Sequence, residues 1–247
     1  MAEEKKFEKK IYTSFHDIPV RDYMYFPKGT LEVGKPGKFS KTEILHLLIS
    51  ILVLTIAFTF ALSGNNLFTG LTRGFRLENL TFFILLSFLG ITTAFFFHEL
   101  SHKFMAQRHG LWSEYRMFPQ GILLALLLGF LTPFVFAAAG AVMFMGGAKT
   151  HETGKIAASG PLANIVIAFV TYILYTFLFF ESQIGSILGF VCLINAFIAT
   201  FNLLPLGPLD GVKIIRWNAT VWIIMLISSL IIFIEIFRQF SLFSVFA

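Results

Sequence analysis

The chain has 247 residues, of which 56% are hydrophobic and only 13% charged, with 32 phenylalanines and a mean hydropathy of +0.78. That composition excludes a soluble globular domain and points to a polytopic membrane protein. The net charge of +5 does not indicate nucleic acid, because the lysines and arginines are scattered over tails and loops without an aromatic-basic stripe.

Residues 1–42 are polar and mixed in charge, with Lys5, Lys6, Lys9 and Lys10 near the start and Gly29, Gly34, Pro36 and Gly37 later, and they read as a cytoplasmic tail. A cleavable signal peptide is not expected, since the first long apolar run begins after residue 42 and no small-residue cleavage pattern follows it. Residues 43–247 read as one membrane-embedded domain. Runs long enough to cross about 30 Å of hydrocarbon as helix are Ile44–Leu62, Leu80–Phe97, Pro161–Phe180, Ile187–Leu204 and Ala219–Phe237. The single cysteine, Cys192, lies inside one of these runs, where it reads as a small core residue.

A sixth apolar run, Gly121–Met145, is different. A full crossing would place Lys149, Lys155, Lys213 and Arg216 outside. An entry and return places them inside with Lys103, Arg108 and Arg116, leaving only Arg73, Arg76 and Arg238 outside, as the positive-inside rule prefers. Pro133 in mid-run, with Gly129, Gly140, Gly146 and Gly147 around it, also argues against one straight helix. A re-entrant or partly extended segment is expected, which membranes tolerate only where protein or a water-filled cavity satisfies its backbone. The fold class is thus an all-α polytopic membrane protein with about five transmembrane helices plus this re-entrant or partly β segment. The N-terminus is expected in the cytoplasm and the C-terminus outside, in a multi-pass protein of the cell membrane.

The second apolar run ends in Phe95-Phe96-Phe97-His98-Glu99-Leu100-Ser101-His102-Lys103. Ionisable groups at bilayer depth cost at least a few kcal/mol each on insertion scales, so they mark a functional site. His98 and His102 are i and i+4, one helical turn apart on one face, and can chelate a single ion. Glu99 is offset, near enough to reach a water on that ion without being a ligand. This is the HExxH arrangement of zinc hydrolases, in which the metal acidifies water and the glutamate takes its proton.

A catalytic zinc usually has three protein ligands and an open position. Asp210, in FNLLPLGPLDG (201–211) after the fifth run, falls on the cytoplasmic side, level with the histidines. Glu181 lies at the opposite end of its helix. His16, His46, His109 and His151 sit in or near polar segments and read as solvated or locally hydrogen-bonded. Asn202 would lie two turns before Asp210 if the helix persisted, but Pro205 and Pro208 interrupt it. Two roles are open to Asn202: hydrogen bonding a substrate carbonyl or oxyanion, or a structural bond between helices.

HELSH in one helix and NLLPLGPLDG at the end of a later one resemble the two signatures of the site-2 protease family of intramembrane zinc metalloproteases. SGPLAN (159–164) is similar to that family's Gly-Pro-x-x-Asn segment opening the helix between them. The resemblance spans residues 98–211. It implies that His98, His102 and Asp210 hold one Zn²⁺ per chain, that Glu99 is the general base, and that Asn202 lies near the scissile peptide. It also implies a three-helix catalytic core, cleavage within a single-pass membrane protein substrate, and receipt of that substrate as an extended chain by the segment after the HELSH helix. The family often continues the Asp-Gly with a second Gly and an Arg, where this chain has Val212 and Lys213. With linkers this short, neither the PDZ nor the CBS domain that many members carry is expected.

A membrane metal transporter or sensor is the alternative from another class. It explains His98, His102 and Asp210, but leaves Glu99 without a task and requires further polar residues along a path, which are scarce. An inactive homologue that only binds partner helices would have lost a ligand or the base, and none is missing.

Overall fold

A computed structural model describes residues 39–74, 78–135, 139–145, 148–180 and 182–239. Most of the expected cytoplasmic tail, with His16, lies outside the described residues, as do Arg76, Gly146, Gly147, Glu181 and the C-terminal residues from 240.

Helix α1 (Lys41–Leu62) begins at Ser40, whose hydroxyl accepts from the Glu43 N–H at 3.1 Å. A short α2 (Leu67–Arg73) follows. Helix α3 (Leu80–Ile91) runs through a π-helical turn, Thr92–Phe96, into α4 (Phe97–Arg108). Then come strand β1 (Trp112–Met117), α5 (Pro119–Leu131) and strand β2 (Gly140–Met145). Helices α6 (Thr150–Leu178), α7 (Gln183–Asn202), α8 (Asp210–Trp217) and α9 (Ala219–Gln239) complete the chain. Among the described residues, five helical stretches are long and apolar enough to cross a membrane: Lys41–Arg73, Leu80–Arg108, Thr150–Leu178, Gln183–Asn202 and Ala219–Gln239. The expected all-α polytopic architecture is the one observed.

Helix α6 lies between α4 and α7 and packs on both, giving the three-helix core. It starts at Thr150, well before the expected Pro161, which sits inside the helix. The sequence SGPLAN therefore does not open a helix. Proline has no N–H for the preceding turn, yet here small neighbours fill the turn: Ala157, Ala158, Ser159 and Gly160 are all buried. Such residues let membrane helices approach closely, which matters where lipid removes the hydrophobic drive for association. The main apolar cluster joins α3, α6, α7 and α9 through Phe83, Leu86, Ala168, Tyr175, Phe190, Ala196 and Ile236. Cys192 is buried within it, as a core residue.

Among the described residues, the Gly121–Met145 run holds most of a helix and a strand. The 13 residues of α5 span about 20 Å, too short to cross the hydrocarbon alone. The helix ends before Pro133, and the chain returns as β2. That strand pairs antiparallel with β1, Trp112 opposite Met145 and Met117 opposite Gly140. The two ends of residues 112–145 are thereby brought together, so α4 ends beside the start of α6. Single cysteines introduced at Gly110 and at Lys149, in a Cys192→Ser background, should be labelled by an impermeant reagent from the same side of the membrane. Labelling from opposite sides would mean that α5 and its return cross the bilayer.

Candidate metal centre

The first two turns of α4 carry His98, Glu99 and His102. Just before it, the π-helical turn shifts the backbone ladder, with the Phe97 N–H bonded to the Thr92 carbonyl. Within that turn the Ala94 carbonyl accepts from Asn164 Nδ2 at 2.9 Å. Wide turns of this kind are frequent at functional sites because they free backbone groups for other partners.

Asp210 arrives from the far side. α7 ends at Asn202, the stretch with Pro205 and Pro208 breaks the helix, and α8 starts at Asp210 itself. Gly211 lets this start sit against the end of α7: a Cβ there would lie 2.2 Å from the Leu203 carbonyl oxygen. Two segments distant in sequence thus meet. The Nε2 atoms of His98 and His102 are 3.0 Å apart. Asp210 Oδ2 lies 3.4 Å from the first and 3.0 Å from the second. All three side chains are buried, and they form a group that could hold a metal ion.

Each imidazole is oriented through its other nitrogen. His98 Nδ1 donates to Asn164 Oδ1 at 2.6 Å, and His102 Nδ1 donates to the Ile156 carbonyl at 2.7 Å. Both acceptors place the proton on Nδ1 and leave an Nε2 lone pair facing Asp210, the tautomer a metal ligand needs. Asn164 is itself fixed, donating to Asn195 Oδ1 at 3.0 Å, while Asn195 donates to Thr93 Oγ1 at 3.0 Å and the Val191 carbonyl at 2.8 Å. Both asparagines are fully buried. Gly160 closes the back of the site, where a Cβ would fall 2.3 Å from His102 Nε2.

The second oxygen of Asp210, Oδ1, faces Lys213 Nζ at 3.2 Å. That ammonium favours the ionised carboxylate. Two neutral imidazoles and one carboxylate are a zinc donor set, and four ligands at about 2.0–2.1 Å in a tetrahedron place donor atoms about 3.3 Å apart. The observed separations match that spacing, so the residues fit one Zn²⁺ ion.

Glu99 is half-buried and stands apart from the trio, its Oε2 accepting from the Val142 N–H of β2 at 3.0 Å. Asn202 donates to the Ile198 carbonyl of its own helix at 3.0 Å. Of the other histidines, Nδ1 of His46 accepts from the Met117 N–H at 3.4 Å. Among the described residues, His98, His102 and Asp210 are the one such group found. The orienting roles of Asn164, Asn195 and the Ile156 carbonyl escape a reading of the sequence. A signal exists for the first two, since each is an amide inside a long apolar run.

No family model matches the sequence, and no solved structure matches it. A protein of Methanocaldococcus jannaschii that bears the provisional name zinc metalloprotease is 36% identical over 193 residues, covering 76% of this chain and 91% of that protein.

Removing an orienting partner of a metal-bound histidine typically weakens metal binding about 10- to 100-fold. Asn164→Ala should therefore keep the fold and bind zinc at least about tenfold more weakly, whereas His98→Ala and Asp210→Ala should lose stoichiometric zinc. Metal analysis under chelator competition separates these outcomes.

Proposed function

The chain belongs to the family of zinc metalloproteases that includes its Methanocaldococcus relative, and on that premise we propose that it is an intramembrane endopeptidase of the site-2 protease type. Its substrates are single-pass membrane proteins, cut within or near their transmembrane segments. The observation that carries this reading is the position of the trio and Glu99. A buried His/His/Asp donor set lies among helices long and apolar enough to cross a membrane, beside a two-stranded ribbon whose strand β2 bonds to the glutamate.

The zinc ion, when bound, acidifies a water and polarises the peptide carbonyl. The residues of the chain supply the rest. His98, His102 and Asp210 hold the ion, with Asn164 and the Ile156 carbonyl keeping both rings turned toward it. Glu99 takes the proton of the attacking water and delivers it to the leaving amine. Asn202 serves the scissile peptide only after releasing the Ile198 carbonyl.

A transmembrane helix has its backbone bonded internally, so its peptide must be unwound before attack. Among the described residues β2 pairs with β1 alone, and an extended substrate can add to the other edge of β2, with main-chain bonds supplying affinity. The charge pattern supports a multi-pass protein of the cell membrane with its N-terminus and the metal end of α4 in the cytoplasm, because Arg108, Lys149, Lys155, Lys213 and Arg216 then share that side.

Glu99→Gln keeps size and shape while removing the base. General base catalysis is typically worth about 10²- to 10⁴-fold, so this variant, reconstituted in liposomes, should retain zinc and cleave a single-pass substrate at least about a hundredfold more slowly. Cleavage at the unmodified rate would remove Glu99 from the mechanism. Metal transport without any proteolysis by the unmodified protein would favour an ion carrier.

A further inference from the structure

A fully buried ion pair, Lys103 with Glu43, takes no part in the proposed hydrolysis. Lys103 follows His102 directly, yet its ammonium turns away from the metal centre. It donates to Glu43 Oε1 and Oε2 at 2.9 and 2.7 Å and to the Ser113 carbonyl at 3.0 Å. The ring of Phe39 covers it, 4.6 Å from Nζ to the centroid. Lys103 is 1% exposed and Glu43 0%. All three ammonium protons are used, as a buried lysine requires. Glu43 Oε1 also accepts from the Tyr115 N–H at 3.0 Å, and Ser113 Oγ donates to the Lys103 carbonyl at 3.2 Å.

Stability alone does not explain such a pair. Replacing a buried ion pair by apolar groups of similar volume is often neutral or stabilising, because desolvating both charges offsets their attraction. What this pair does that apolar side chains could not is to bind backbone. Its two partners on β1, the Ser113 carbonyl and the Tyr115 N–H, lie on the edge of β1 that β2 does not occupy. On the other edge Tyr115 stands opposite Val142, whose N–H is bonded to Glu99. Glu99 and Lys103 are i and i+4, stacked on one face of α4. One helix face therefore holds both strands, Lys103 with Glu43 gripping β1 and Glu99 touching β2.

We infer that Lys103 and Glu43 are positioning residues: together they clamp the ribbon to α1 and α4 and so set the height of the free edge of β2 against Glu99 and the metal centre. The inference rests on the reading that β2 receives substrate. Its structural half, the clamp itself, can be tested without activity.

The test uses the full chain carrying Glu43→Leu with Lys103→Met, an apolar pair of comparable volume. Zinc content should stay at one per chain. Amide hydrogen exchange in residues 112–117 and 140–145 should quicken at least about tenfold while α6 and α7 are unchanged, as expected when one local unit is released. In liposomes the KM for a single-pass substrate should rise about tenfold with kcat altered far less, the signature of lost binding and not of lost chemistry. Glu43→Gln, which keeps an acceptor for the Tyr115 N–H, should give a smaller change in the same direction, and it decides the matter should the double variant not fold. Unchanged exchange in the ribbon overturns the clamp. Faster exchange with unchanged KM overturns its link to substrate. Absence of proteolysis by the unmodified protein would instead defeat the proposed function, leaving hydrogen exchange to judge the clamp.

Discussion

Nε2 of His98, Nε2 of His102 and Oδ2 of Asp210 converge to between 3.0 and 3.4 Å inside a bundle of apolar helices, and much of the fold follows from that convergence. The two rings reach it only because Asn164 and the Ile156 carbonyl take their Nδ1 protons. α6 supplies both acceptors and must come very close, which Gly160 permits. Asp210 reaches it only because the helix ending at Asn202 is broken and a new one begins at the ligand. In hydrocarbon no water would repair a polar group left without a partner, so the orienting amides extend inward, from Asn164 to Asn195 to Thr93. The zinc metalloprotease chemistry is thus built into the helix packing and not added on a loop.

The same rule governs the ribbon. Strand edges carry unpaired backbone groups that lipid cannot satisfy. On β1 two of the outer N–H groups are met by side chains of α1, Glu43 for Tyr115 and His46 for Met117. On β2 the Val142 N–H is met by Glu99. In the proposed function, a substrate strand adding to β2 would compete with that bond and so release Glu99, the proposed base. The two edges therefore differ in kind: one is anchored by a buried ion pair, the other is held by Glu99, the proposed general base.

Much of this was legible in the sequence because ionisable residues are so rare in it. HELSH at the end of an apolar run, and Asp210 just beyond another, stand out against phenylalanine and leucine, and i, i+4 spacing needs no tertiary information. The return of residues 121–145 followed from loop charges, Pro133 and the glycines. The pairing of β1 with β2 did not, since Trp112–Met117 is too short and mixed to announce a strand. The start of α6 was misplaced because a proline normally sits in a first turn, whereas packing against α4 and α7 holds Pro161 well inside the helix. The Lys103–Glu43 pair was invisible for another reason: its partners are 60 residues apart, and Glu43 reads as an ordinary first-turn acid.

X-ray absorption at the zinc edge on purified protein tests the central claim most directly. The account predicts a four-coordinate ion with two imidazole nitrogens and two oxygens, one from Asp210 and one from water, at about 2.0–2.2 Å. A shell containing sulfur, three or more imidazoles, or six oxygens would contradict it.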